Sequence, residues 1–235
     1  MLGAKHVPIP NRLLAALPRK DYRKLLPFLE AVKLPFSEVL YESHSQIRFV
    51  YFPNDCLVSM LTTIDSGRAA EVGLIGPEGM IGLPVALGVG ASPFRAVVQG
   101  GGMAMRMKLA DFRREFSESA ALRRELFLFT HLLMIQIAQT AACNRFHGVT
   151  QRMARWLLMT RDRVSFNEFR ITQEFLALML GVRRSAVNVA AHALNERKLI
   201  GYGRGTVTIL DRKGLVAAAC GCYKTVKDLY TQTQA

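Results

Sequence analysis

The chain has 235 residues, 50% hydrophobic and 21% charged, a composition that excludes disorder and fits one large domain or two small ones. The longest strongly apolar run, residues 126–138, contains Thr130, His131 and Gln136, and the N-terminal MLGAKHVPIPNRLL has neither an apolar core nor a small-residue cleavage pattern; the expectation is a cytoplasmic protein with no secretory signal, no bilayer span and no membrane partner. The net charge of +13 is uneven, with 17 basic and 12 acidic residues in 1–148 against 14 and 6 in 149–235, so the C-terminal part is the one suited to a polyanion.

Residues 11–33 read as short helices. Asn11 is placed to cap 12–17, Pro18 breaks the run, and Tyr22, Leu25, Leu26 and Leu29 recur at helical spacing over 20–31 around a kinking Pro27. Residues 34–108 read as β. The predicted strands are 39–42, 47–52, 57–62, 70–74, 95–99 and 103–108, punctuated by Pro53-Asn54-Asp55, Asp65-Ser66-Gly67, Gly76-Pro77-Glu78-Gly79 and Gly100-Gly101-Gly102. Short strands at regular intervals indicate a sandwich or barrel. In 103–108, alternation puts Met103, Met105 and Met107 on one face and Ala104, Arg106 and Lys108 on the other.

Residues 117–145 read as one long helix capped by Ser117 or Ser119. Leu122, Leu126, Phe129, Leu133, Ile137 and Thr140 form one stripe, yet Leu128, Leu132, Met134 and Ile135 make other faces apolar as well. A helix apolar nearly all round must be covered nearly all round. Two arrangements do this: barrel on one face and a parallel two-helix seam with a second copy on the other, or complete burial within a monomer. The seam is the expectation, with the six-residue stripe as the dimer helix. Phe146, His147 and Gly148 then form a hinge, Gly148 ending the helix at little conformational cost.

The strongest local pattern is TQEFLALMLGVRRSAVNVAAHAL over 172–194. Thr172 is an N-cap, Leu176, Met179 and Leu180 an inner face, and Ala177 a small residue where a second helix crosses. Gly181 supplies the turn, Val182 packs beneath it, Ser185 caps the second helix, and Val187 points back into the angle between helices. A small residue, Gly four later and a branched apolar residue ten later make a helix-turn-helix. The second helix exposes Arg183, Arg184, Ser185, Asn188 and His192, donors and acceptors suited to base edges and phosphates, and Thr172 can also bond phosphate. Two β-prone runs flank Gly203-Arg204-Gly205, a wing whose tip residue Arg204 can reach phosphate.

Six words carry a likeness: VLYE (39–42), VYFP (50–53), GPEGMIG (76–82), AACNRFH (141–147), RMARWLLM (152–159) and TQEFLALMLGVRRSAV (172–187). In this order the chain resembles the Crp/Fnr family of bacterial transcription regulators from about residue 11 to 223. The resemblance implies an α+β chain of three parts. They are a cyclic-nucleotide-binding-like β-barrel or jelly roll (11–116), a dimerisation helix with hinge (117–148) and a winged helix-turn-helix (149–235). It implies a homodimer reading a two-fold symmetric site in double-stranded DNA, with activity set at the barrel and RNA polymerase as a further partner.

The departures from the family bear on the effector. The cyclic-AMP-responsive members carry Gly-Glu and then Arg-Ser in a phosphate cassette, whereas here Gly82 precedes Leu83 and the later segment is Ala91-Ser92-Pro93-Phe94-Arg95-Ala96. A cyclic phosphate without a matching cation is costly to bury, which argues against cyclic AMP and leaves the effector unknown. Gly73, Gly82, Leu83 and Arg95 are the candidate pocket residues; the glycines of 73–91 serve equally well as turns. Arg184 matches the family's base-reading arginine, but Ser185 and Val189 stand where Glu and Arg are expected, so a different DNA sequence should be read.

No cofactor is expected. Cys56, Cys143, Cys220 and Cys222 are irregularly spaced. Along the chain, no second pair and no nearby His completes a zinc pattern with Cys220 and Cys222, and no N-terminal cluster suits iron–sulfur. Free thiols are the expectation, with redox sensing by Cys220 and Cys222 the alternative. His44, His131 and His147 show no haem pattern. No nucleophile–base pair, His–Glu metal motif or phosphate loop is present, so an enzyme is not expected.

Overall fold

A computed structural model describes residues 9–63, 69–164, 167–203 and 205–233. It opens on α1 (Arg12–Ala15), α2 (Arg19–Leu25) and a 3-10 turn at Leu26–Phe28. Asn11 caps α1: its Oδ1 accepts from the Leu14 N–H at 3.0 Å, while Nδ2 donates to the carbonyls of Pro53 (2.8 Å) and Gly79 (3.0 Å). One fully buried side chain thus ties the N-terminus to two barrel turns. The helix expected over 20–31 stops early. Pro27 removes a backbone donor at its middle, and the chain passes through the 3-10 turn into β1 (Glu30–Leu34), a strand that the helical spacing concealed.

The six expected strands form, with ends shifted by a residue or two: β2 (Val39–Tyr41), β3 (Phe49–Pro53), β4 (Leu57–Thr63), β5 (Ala69–Ile75), β6 (Arg95–Gly100) and β7 (Gly102–Lys108). They make two antiparallel sheets, β1-β7-β3 and β2-β6-β4-β5, which share a core of Val50, Phe52, Val58, Met60, Ile75, Met80, Val98 and Met107. The methionine alternation in β7 breaks at its start: Met103 is exposed and Ala104 fully buried. There the Met103 N–H is held by the Asp55 carboxylate at 2.5 Å, which pins the strand end to the β3–β4 turn.

In β4 every residue from Leu57 to Leu61 is buried. Val58 and Met60 face the barrel core, while Leu57 and Leu61 join Leu74 and Val97 in a second core shared with the C-terminal domain. A strand covered on both faces carries no alternation.

The long helix expected over 117–145 forms as α4 (Ala120–Phe146), preceded by α3 (Leu109–Glu118), which had no sequence counterpart. Ser119 separates them and caps α4, its Oγ accepting from the Leu122 N–H at 3.1 Å; the expected domain boundary at 116/117 falls inside α3. The barrel face of α4 sits so close that a Cβ on Gly79 would lie 2.1 Å from the Phe129 ring, and one on Gly73 3.3 Å from Leu133. Leu122, Leu126, Phe129 and Leu133 are consequently part of the barrel core, and Ile137 packs against it. Thr140 donates to the Gln136 carbonyl at 2.8 Å and accepts from Arg155 at 3.0 Å.

The stripe expected to meet a second copy therefore faces the chain's own barrel. Helical spacing identifies an apolar stripe but not what covers it, and α4 carries two. The second runs through Phe127, His131, Met134, Ala138 and Ala141, all exposed, with Phe127 at 53% and Met134 at 65%. With 27 residues and an 18-residue window of mean hydropathy 1.6, α4 is long and apolar enough by length and composition to cross a bilayer, beyond what the 126–138 run suggested. Its polar Gln136, however, accepts from the Leu74 N–H (3.0 Å) and donates to the Leu74 carbonyl (3.1 Å). That covers the open edge of β5 with protein.

The C-terminal domain is built on α5 (Val149–Arg161), buried throughout Arg152–Thr160. Around it lie β8 (Glu168–Arg170), α6 (Gln173–Leu180), α7 (Arg184–Glu196), β9 (Ile200–Gly203), β10 (Thr206–Ile209), α8 (Arg212–Ala218) and α9 (Cys222–Thr233). At the hinge, Gly148 is not a left-handed helix stop. His147 ends α4, and Gly148 (φ −68°, ψ 156°) is the N-cap of α5 with its N–H held by the Gln151 side chain.

Polar contacts fasten this domain to the barrel. Arg163 and Glu78 form a buried ion pair at 2.6 Å, and the rings of Phe36 and Phe175 lie 5.3 Å apart. Between them, Trp156 Nε1–H donates to Glu71 Oε1 at 3.0 Å, and Gln99 Nε2–H to Thr160 at 3.0 Å. Ser59 Oγ lies 2.6 Å from Glu71 Oε2 and 2.8 Å from Gln99 Oε1. One hydroxyl proton cannot serve both acceptors. The network closes when Glu71 itself carries a proton, donating to Ser59, which donates to Gln99.

Burial pushes the Glu71 carboxyl from its ordinary 4.5 up to about 7, against the lowering pull of Ser59, Trp156, Arg155 and Arg163. With the folded-state value raised, the folded chain holds the proton that the unfolded chain releases above pH 4.5, so stability falls as pH rises toward 7 and then levels. The contribution lost is on the order of 3 kcal/mol. Glu71→Gln should remove it: urea midpoints of wild type and variant, measured from pH 5 to 8, are expected to converge at low pH, with the variant more stable at pH 8.

Candidate nucleic-acid interface

The helix-turn-helix is assembled as its pattern requires. Thr172 caps α6, its Oγ1 accepting from the Phe175 N–H at 3.1 Å. Gly181 ends that helix at φ +62°, a left-handed conformation that costs an L-residue about 1–2 kcal/mol. Leu176, Met179, Leu180 and Val187 are buried and Ala177 nearly so. Arg152 comes from α5 beneath and donates to the Leu180 carbonyl, satisfying a backbone acceptor in the last turn of α6.

On α7, Val187, Ala190, Ala191 and Leu194 face inward, leaving Arg183, Arg184, Ser185, Asn188, Val189 and His192 outside. Ser185 does not cap the helix: Arg183 is the N-cap, without a side-chain bond, and Ser185 lies within the first turn. A residue not singled out from the sequence organises this face. Gln173 Oε1 accepts from Arg184 Nε–H at 3.1 Å, and Gln173 Nε2–H donates to Asn188 Oδ1 at 3.2 Å. The two side chains best suited to guanine and adenine are thus held side by side by the first helix. Its signal in the sequence is its position directly after the Thr172 cap. His192 Nδ1 lies 3.4 Å from Glu196.

Between α7 and the wing lies a cleft of about 520 Å³, lined among others by Arg184, Asn188, His192, Tyr202 and Gly203. Burial raises the Tyr202 hydroxyl pKa, and the neighbouring Arg184 opposes the shift. The wing is the β9–β10 hairpin extended by β8 in the order β8-β10-β9; β8 had no sequence counterpart, and Arg204 lies outside the described residues.

The family model of the Crp-like helix-turn-helix domain matches residues 151–218. Several solved structures share the whole architecture. FixK2 from Bradyrhizobium japonicum superposes with a TM-score of 0.69 at 15% identity, over 82% of this chain and 98% of its own. The c-di-GMP responsive global regulator CLP from Xanthomonas campestris gives 0.67 at 14%, over 82% and 99%, and a CRP-family transcriptional regulator from Thermus thermophilus gives 0.68 at 16%, over 80% and 96%. The chain has the fold of the Crp/Fnr transcription regulators. No curated protein matches it in sequence. Its relatives by fold are regulators and not enzymes, and residues 151–218 are their DNA-binding helix-turn-helix domain.

Of the four pocket candidates of this Crp-type barrel, Gly82 and Leu83 are adjacent in the chain. Gly73 lies under Leu133 and Ile137 of α4, and Gly82 (φ +96°) lies against Tyr41 and Val50. Leu83 is in the barrel core, and Arg95 pairs with Glu42 at 3.2 Å on the surface. The cysteines depart from expectation more sharply. Folding brings Cys143 and His147, from the end of α4, to Cys220 and Cys222 beside α9, so that one donor atom from each lies within 4.8 Å of every other. The His that chain spacing could not supply comes from 73 to 75 residues away.

The two glycines separate cleanly in this account. Gly181→Ala should cost about 1–2 kcal/mol or more, because its Cβ would also sit 2.9 Å from the Cβ of Ala70. Gly148→Ala meets nothing within 4 Å and should stay within about 0.5 kcal/mol, as thermal unfolding of the two variants will show.

Proposed function

We infer that the chain is a homodimeric, sequence-specific DNA reader that places one α7 per subunit in the major groove of a two-fold symmetric site. The observation that carries this is the pairing of two exposed faces: Arg184 and Asn188 held by Gln173 on α7, and Phe127, Met134, Ala138 and Ala141 on α4. Positions 127, 131, 134, 138 and 141 alternate in steps of four and three, the period of a two-stranded seam. Two recognition helices joined by such a seam must lie about 34 Å apart to meet both half-sites. Arg184 is assigned to a base edge, Asn188 to a neighbouring base, and Arg183, Ser185, Thr172 and Arg204 to phosphates, with His192 at the margin.

The barrel is read as a transmitter between a signal and the hinge at Phe146–Gly148. The alternative is a vestigial barrel, with DNA bound constitutively and the response supplied through a protein partner. In its favour, Tyr41, Val50, Phe52, Met80 and Met107 fill the barrel interior, and the Tyr41 hydroxyl bonds the Phe49 carbonyl. Cyclic AMP is accordingly expected to leave the melting temperature unchanged.

Met134→Glu should convert the protein to monomers in sedimentation at micromolar concentration and abolish tight DNA binding. Arg184→Ala should leave the dimer intact, weaken binding by about tenfold or more and relax the choice of base at one position per half-site. A Met134→Glu protein that remains dimeric would place the seam elsewhere.

A further inference from the structure

We propose that Cys143, His147, Cys220 and Cys222 form a tetrahedral Cys3His site for one zinc-type divalent ion, fastening the end of α4 and the hinge to the junction of α8 and α9. The donors come from two places in the fold. Cys143 lies in the last turn of α4 and His147 is its C-cap; Cys220 follows α8 and Cys222 opens α9. The three cysteines are buried and pack on one another as a separate cluster.

Cys143 Sγ lies 3.4 Å from Cys220 Sγ, and Cys222 Sγ lies 3.5 Å from His147 Nδ1. With Zn–S near 2.3 Å and Zn–N near 2.0–2.1 Å, a regular tetrahedron sets its sulfurs about 3.8 Å apart and a sulfur and a nitrogen about 3.5 Å apart. Four donors within 4.8 Å of one another converge on one ion and leave no room for sulfide-bridged irons. A disulfide between Cys143 and Cys220 would use two of the donors and leave the convergence of Cys222 and His147 without a purpose.

The surroundings fit an anionic centre. Arg152 and Arg155 are buried beside the cluster, and among the described residues neither has a carboxylate within salt-bridge distance. The Nε of each is buried without a hydrogen-bond partner. Three thiolates around a divalent cation carry one net negative charge, which offsets these buried guanidiniums. Gln139 Nε2–H donates to Cys222 Sγ at 3.0 Å, the outer-shell bond that orients a thiolate ligand.

The test uses the full chain, reduced and stripped by chelator, titrated with cobalt(II) alone and then with zinc(II) alone. One equivalent of cobalt per chain should bind with the strong visible absorption of tetrahedral coordination and a thiolate charge-transfer band. Zinc should displace it. Cys143→Ser should weaken uptake by more than about 100-fold, beyond the loss of an outer-shell partner. His44→Asn, at an exposed position between β2 and β3 of the barrel, should bind as wild type. Failure of the reduced wild-type chain to take up either metal overturns the proposal. So does an octahedral cobalt spectrum, or uptake unaffected by Cys143→Ser. Uptake is read without DNA, so a negative result leaves the DNA-reading assignment standing.

Discussion

Sheet β2-β6-β4-β5 is covered on both faces, and the placement of the DNA-reading surface follows from that double burial. Its inner face closes the barrel; its outer face, through Leu57, Leu61, Leu74 and Val97, shares a core with α5 and the helices around it. Buried polar groups in an interface of this kind need partners. Ser59, Glu71, Gln99, Trp156 and Thr160 supply them as one connected network that closes with Glu71 protonated. Because α6 leans on the barrel through Phe175 and Gly181, α7 is oriented by the sheet and not by the hinge alone.

Helix α4 sits against the same sheet at the open edge of β5, and it has the complementary problem. It is apolar on two sides but belongs to one barrel. Gly79 and Gly73 let it approach closely enough to bury Phe129 and Leu133, and Gln136 covers the strand edge. That leaves the Phe127–Met134 side largely exposed among the described residues, with Phe116 edge-on to Phe127. The end of the same helix carries Cys143 and His147, so in the proposed dimer the element that joins two subunits would also be the one clamped to α8 and α9. In that proposal, a signal that loosened either attachment would move α7 relative to its mate.

The sequence made some of this legible and hid the rest for identifiable reasons. The helix-turn-helix was readable because Ala177, Gly181 and Val187 each answer a local demand: a close crossing, a positive φ, a wedge between helices. The six strands were readable from their turns. β1 was hidden because Tyr22, Leu25, Leu26 and Leu29 are spaced as a helix even though Pro27 interrupts it. The barrel-facing stripe of α4 was identified but assigned to the wrong neighbour, since periodicity reports a face and not its partner. Gly148 was read by residue type, whereas its backbone is that of an N-cap. The Cys3His cluster was invisible along the chain, because its two halves are far apart in sequence and meet only when α9 packs on α4.

The most direct measurement is selection of a random duplex DNA library by the full chain, followed by sequencing of what is retained. A dimeric reader should enrich an inverted repeat whose half-site centres lie one helical turn, or a multiple of it, apart, with retention falling steeply as salt is raised. Enrichment of an isolated half-site with no symmetric mate, or of no sequence at all with and without cell extract, would contradict that assignment.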